Sequence, residues 1–261
     1  MFKLTTTQRF SLFTLLIVLI LVSGYVSIFV APFAQNITYH NFADTHSYFG
    51  VSNFLNVMSN VLFVGLGMLA LYKTLQENSL RLLNGFQYAY VLFFIALIGV
   101  GLGSSYYHIN PDNSTLLWDR LPMGFAFMMM FSIVIAEHIS LTLAKKVSLP
   151  LVFLGVFSVL YWYIGEQQGV GDLRLYFLVQ YLPMLIIPMI LILFKSEFST
   201  TYGYWTLLFF YFIAKLCESF DTEIYTILGW VSGHTLKHVF AACALYFLLS
   251  SFQTRKIRSG L

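Results

Sequence analysis

Charge is scarce in this 261-residue chain: Asp, Glu, Lys and Arg make up 10% of it, where soluble domains carry about 25%. An ordinary soluble domain is excluded. Cysteine is scarcer still. Only Cys217 and Cys243 are present, and their separation excludes a CxxC redox or zinc pair and leaves them as packing residues. The net charge of +3 lies along short connections, not in a block, so no nucleic-acid footprint is expected. Long polar stretches are missing too, which leaves no room for a separate soluble domain.

What is there instead is apolar, 59% hydrophobic and 18% aromatic. The apolar residues fall into eight blocks at about 10–32, 53–74, 87–108, 116–137, 148–166, 173–195, 203–220 and 232–252, each near the roughly 20 residues a helix needs to cross a bilayer. The expected class is an all-α, polytopic membrane protein. Three segments are expected: an N-terminal transmembrane helix (1–35), a seven-helix core (36–252) and a basic cytoplasmic tail (253–261). The first block resembles a secretory signal in its flanks, but its apolar run exceeds the usual 7 to 15 residues, so a retained helix is expected.

Cytoplasmic loops are enriched in Lys and Arg. With the N-terminus inside, ten of the 14 basic residues collect on the inner side: Lys3, Arg9, Lys73, Arg81, Lys145, Lys146, Lys195, Arg255, Lys256 and Arg258. Both termini are therefore expected in the cytoplasm. Arg120, Arg174, Lys215 and Lys237 fall within or at the ends of spans, where internal partners are expected. The short connections suit a bacterial inner membrane. N-x-T sequons at Asn36 and Asn113 fall on the outer side and have meaning only in a eukaryotic source.

Ionisable residues inside spans are costly and mark functional sites by default. Here they gather at one depth, in the outer half. The third block ends with Gly101, Gly103, Ser104 and His108; the fourth opens with Trp118, Asp119, Arg120 and Pro122; the last opens with His234, Lys237 and His238. His234 and His238 are four apart on one helix, which puts both imidazoles on one face, a spacing that offers two ligands to a single zinc. If His108 meets them, the set is three histidines with an open fourth position, the pattern of a catalytic zinc. Asp119 returns to the same depth across a short turn and is expected beside the metal. Such a histidine pair also suits bis-histidine haem or a proton path, and Ser104 after two glycines also suits a plain helix crossing. A transporter predicts broken helices in paired positions of two halves, a pattern the chain does not show.

The run from Gly103 and Ser104 to His108, then Asp119 with Pro122 and Met123, then His234 and His238, resembles the alkaline ceramidase family. That family belongs to a superfamily of seven-helix membrane hydrolases that includes the adiponectin-receptor-like proteins. Asn56, Ser59 and Asn60 in the second block share the resemblance, which spans about residues 40 to 250. The resemblance implies that His108, His234 and His238 hold Zn2+, with Ser104 and Asp119 beside it as catalytic residues. It implies hydrolysis of the amide of a ceramide-like lipid to a sphingoid base and a fatty acid. The alternative it leaves open is a receptor or lipid sensor with the same metal site. Animal members carry an acidic calcium-binding cluster before the first core helix; here residues 36–56 offer Asp44 as their only carboxylate. Calcium needs six to eight oxygen ligands, so calcium dependence is not expected. Asn56 and Asn60 are expected to bridge helices, Glu218, Asp221, Asp172 and Arg174 to form interhelical pairs, and His40 and His46 to lie in a solvated loop. His138 is expected too far in depth to join the site.

Overall fold

A computed structural model describes residues 5–258; Lys3, part of the charge bias, lies outside them. All the long elements are helices. α1 (Thr6–Phe29) starts at a capping box of Thr5 and Gln8, and its exposed side chains are apolar on nearly every face, as a lipid-facing helix requires. After a 3-10 turn at Ile37–His40 come α2 (Phe54–Met58) and α3 (Val61–Thr74), one span interrupted at Ser59 and Asn60. α4 (Gln87–Ile109), α5 (Asn113–His138), α6 (Leu141–Gln167), α7 (Arg174–Leu193), α8 (Tyr202–Ser219), a short α9 (Asp221–Leu228) and α10 (Gly233–Thr254) follow.

Among the described residues, seven helices are long and apolar enough to cross a membrane: α1, the α2 and α3 span, α4, α5, α6, α7 and α10. The expected span at 203–220 is α8, shorter and less apolar. Its charged Lys215 and Glu218 line an internal cavity, and it packs along α10, where Phe210 stacks on Phe247 at 5.3 Å. α8 completes a seven-helix core, with α1 as the additional N-terminal helix. The protein is an integral, multi-pass membrane protein.

α5 runs through the middle and is the most buried of the spans. Its N-terminus is fixed by a capping box of Asp112 and Thr115, and Pro122 lies inside it. Proline cannot donate to the carbonyl four residues back, here that of Trp118. α4 crosses at this place through Gly103, whose missing side chain leaves room for the Trp118 carbonyl; any Cβ would collide with it. The close crossing brings the outer turns of α4 and α5 together, the Ser104 turn against the Asp119 turn.

At the opposite end of the bundle, chain ends are tied down. Arg255, fully buried, donates to both oxygens of Glu137 at 2.8 and 3.0 Å and to the Arg81 carbonyl at 2.9 Å. Tyr90 also donates to Glu137, and the guanidinium stacks on Phe198 and Phe252. Arg255, the third residue of the stretch expected as a basic cytoplasmic tail (253–261), is thus buried against the bundle. His138 lies here, against Tyr204. It is 19 residues from Asp119 on one helix, about 28 Å at 1.5 Å per residue.

Candidate metal centre and lipid cavity

The three histidines meet. His108, on the last turn of α4, and His234 and His238, on the first turns of α10, have ring centroids 4.8 to 5.0 Å apart. All three are buried, and their ligand atoms lie within 4.8 Å of one another. Local structure explains each placement. Ser232 caps α10 by accepting from the Thr235 N–H, and Asp221 accepts from the His234 N–H at 2.6 Å. Asn53 donates to the His108 carbonyl at 2.8 Å. Phe42 covers the cluster, edge-on to His108 at 4.7 Å and to His234 at 4.6 Å.

The chain break at Ser59 supplies support from behind. Ser59 Oγ lies 2.8 Å from His238 Nδ1 and donates to the Asn56 carbonyl at 3.1 Å. A hydroxyl has one proton to give, so Ser59 accepts from Nδ1–H and leaves the His238 Nε2 lone pair free. This is the outer hydrogen bond that orients a metal-ligating histidine. Asn56 Oδ1 in turn accepts from Thr235 at 2.7 Å, tying α2 to α10, while Asn60 donates to the Asn56 carbonyl at 2.8 Å within its own span. Of the two, Asn56 is the helix bridge.

The donor set fits a metal ion. His108 Nε2 and His234 Nε2 face each other at 3.3 Å, close to the edge of a tetrahedron whose metal to nitrogen bonds are about 2.0–2.1 Å. His108 Nδ1 is buried with no hydrogen-bond partner. One feature competes: Lys237 Nζ lies 2.8 Å from His234 Nε2. Its second partner, Glu218 Oε1 at 3.2 Å, can hold the ammonium when the imidazole lone pair is taken.

Asp119 and Ser104 are buried on the wall of an internal cavity. The cavity has a volume of about 420 Å³ and also takes in His238, Lys237 and Glu218 at one end. From there it runs between Leu97, Met130, Met184 and Leu245. A polar end and an apolar body suit an amphiphile with a long chain.

Other expected residues fall elsewhere. Glu218 pairs with Lys215 on its own helix and with Lys237 across to α10. Asp221 serves backbone N–H groups of His234 and Ala43, and Asp172 pairs with Arg174, which also donates to α1 carbonyls of Ser27 and Val30. His40 is not solvated: its ring bonds Tyr107 at 2.9 Å and Asn113 at 3.0 Å. His46 is exposed and bonds the buried Asp44. Phe42 and the surroundings of Arg120 were not singled out from sequence, Ser59 was marked only by the resemblance and Glu218 only as a pairing residue. The contacts of Ser59 with His238 and of Phe42 with His108 and His234 join distant parts of the chain.

Fold and site together define a multi-pass membrane protein with a buried three-histidine group able to hold a metal ion, one member of which, His238, lines a cavity of about 420 Å³. A family model for ceramidases matches residues 40–259, and the chain belongs to that family. It is a hydrolase acting on the amide bond of ceramide, with a lipid substrate met within the membrane. No curated protein matches the chain.

Proposed function

We propose that this chain is a zinc-dependent intramembrane amidase that converts ceramide-like lipids to a sphingoid base and a fatty acid. His108, His234 and His238 hold the metal. The observation that carries this reading is that the three histidines converge and that one of them, His238, lines a cavity together with Asp119 and Ser104. A zinc ion held there supplies Lewis acidity, polarising a carbonyl and bringing the pKa of water toward about 7.

The chain's own groups do the rest. The apolar wall takes the acyl chain and presents the amide to the polar end. Asp119 accepts a proton from water as the carbon to oxygen bond forms, then gives it to the amine as the carbon to nitrogen bond breaks, the base-then-acid role. Ser104 donates to the amide oxygen as negative charge grows there. Lys237 lines the same cavity as Asp119, and Glu218, its second partner, takes the ammonium when the His234 lone pair is occupied.

In the same reading both termini are cytoplasmic, the site lies in the outer half of the membrane, and the membrane is a bacterial inner membrane. The test is fatty-acid release from a defined ceramide by detergent-purified protein, beside His238→Ala, with zinc content measured on both. Release and zinc are expected in the wild type alone. Zinc in the wild type without release from any ceramide refutes the amidase reading.

A further inference from the structure

Arg120 is next to Asp119 in sequence but faces another group of residues. It is buried, lines the cavity, and its guanidinium lies over the rings of Trp162 at 4.3 Å, Tyr176 at 4.9 Å and Tyr39 at 5.7 Å. A guanidinium stays charged and carries five N–H donors. Here Nη2 donates to Gln35 Oε1 at 2.6 Å, while Nη1 is buried without any partner among the described residues. No carboxylate among them lies within ion-pair distance of it. Glu166, which could have neutralised it, is spent on the frame: it accepts from Trp162 Nε1 at 2.9 Å and from the Gln35 backbone N–H at 2.5 Å. The frame holds the guanidinium in place and leaves its charge unpaired.

A buried charge with unused donors is expensive unless something pairs with it. We propose that Arg120 is the binding site for an oxyanion carried by a lipid in the cavity. Its fixed fork matches a carboxylate or a phosphate. Two sources share this chemistry: the carboxylate of a released fatty acid, and an anionic head group on the lipid substrate. The proposal deepens the amidase reading by naming what the polar end selects. It is tested by binding, so that its failure and the failure of hydrolysis are separate results.

The experiment measures binding to the purified protein, by quenching of tryptophan fluorescence, of two matched pairs. One pair is a long-chain fatty acid and the alcohol of the same chain length. The other is a ceramide with a phosphorylated head group and the same ceramide without it. At least one anionic member is expected to bind tenfold or more tightly than its neutral partner, as suits hydrogen bonds to a charged group, and the pair that shows it identifies the source. The preference is expected to fall severalfold or more in Arg120→Gln and to survive removal of metal from the wild type by a chelator. No anion preference in either pair overturns the proposal. So does a preference that vanishes with the metal, or one that Arg120→Gln leaves intact. The chelator arm needs no variant and stands even if Arg120→Gln does not fold.

Discussion

Replacing Ser59 by Ala removes one oxygen atom and tests the support behind the metal centre. Ser59 does not line the cavity; its hydroxyl accepts from His238 Nδ1 at 2.8 Å, and His238 is buried. In Ser59→Ala the Nδ1–H has no acceptor, and a buried donor left unpaired costs about 1–3 kcal/mol. The ring can recover part of that by turning or by changing tautomer, and either move misdirects Nε2 away from His108 and His234. Outer-shell losses of this kind weaken metal binding by about 10 to 100-fold. The assay is zinc affinity by competition with a chromophoric chelator, on wild type, Ser59→Ala and Ser59→Thr. Ser59→Thr keeps the hydroxyl and is expected to stay within a few-fold of wild type. Unchanged zinc affinity in Ser59→Ala, with the fold intact, would refute the assignment of Nε2 as the His238 ligand atom.

Asp119→Asn is expected to keep its metal and lose about 10²–10⁴ in rate, and full activity with bound metal refutes the proton-transfer role. Ser104→Ala is expected to lose at most about 10²–10³ in kcat, the worth of one oxyanion donor, measured as ceramide turnover at saturating substrate. Lys237→Met removes a cation from His234 Nε2; even ~1–2 kcal/mol of screened repulsion means zinc affinity about tenfold tighter, read in the same chelator competition. Glu137→Ala strands the buried Arg255 charge, which costs about 3–5 kcal/mol, and a fall in Tm of the detergent-solubilised protein is the readout.

The spans were legible because each is a run of apolar residues long enough to average out its exceptions. That averaging hid three things. Hydropathy carries no sign of the break at Ser59 and Asn60, because Asn56, Ser59 and Asn60 are averaged with the apolar residues on either side of them. α8 looked like its neighbours until Lys215 and Glu218 turned out to face inward, and α9 is an amphipathic turn too short for a span window. The histidine cluster was legible because His234 and His238 share a helix face and the third ligand sits at the same depth. Its support was not: the Ser59 to His238 contact joins residues 179 apart, and residue spacing carries information only within one element. Arg120 shows the same limit. Successive residues on a helix point about 100° apart, which separates Arg120 from Asp119, but the ring stack that receives Arg120 comes from three other segments.

The order in which the metal site is assembled follows from where its parts lie along the chain. Ser104 and His108 enter the membrane with α4, and Asp119 follows with α5. His234 and His238 are on α10, made after the other described helices, and Asp221, which accepts from the His234 N–H, lies at the start of α9. A chain stalled before α10 has only His108 of the three and lacks the group that could hold an ion. The three-histidine group is therefore completed only when α10 packs against the helices made before it, and metal uptake would report that this packing has taken place.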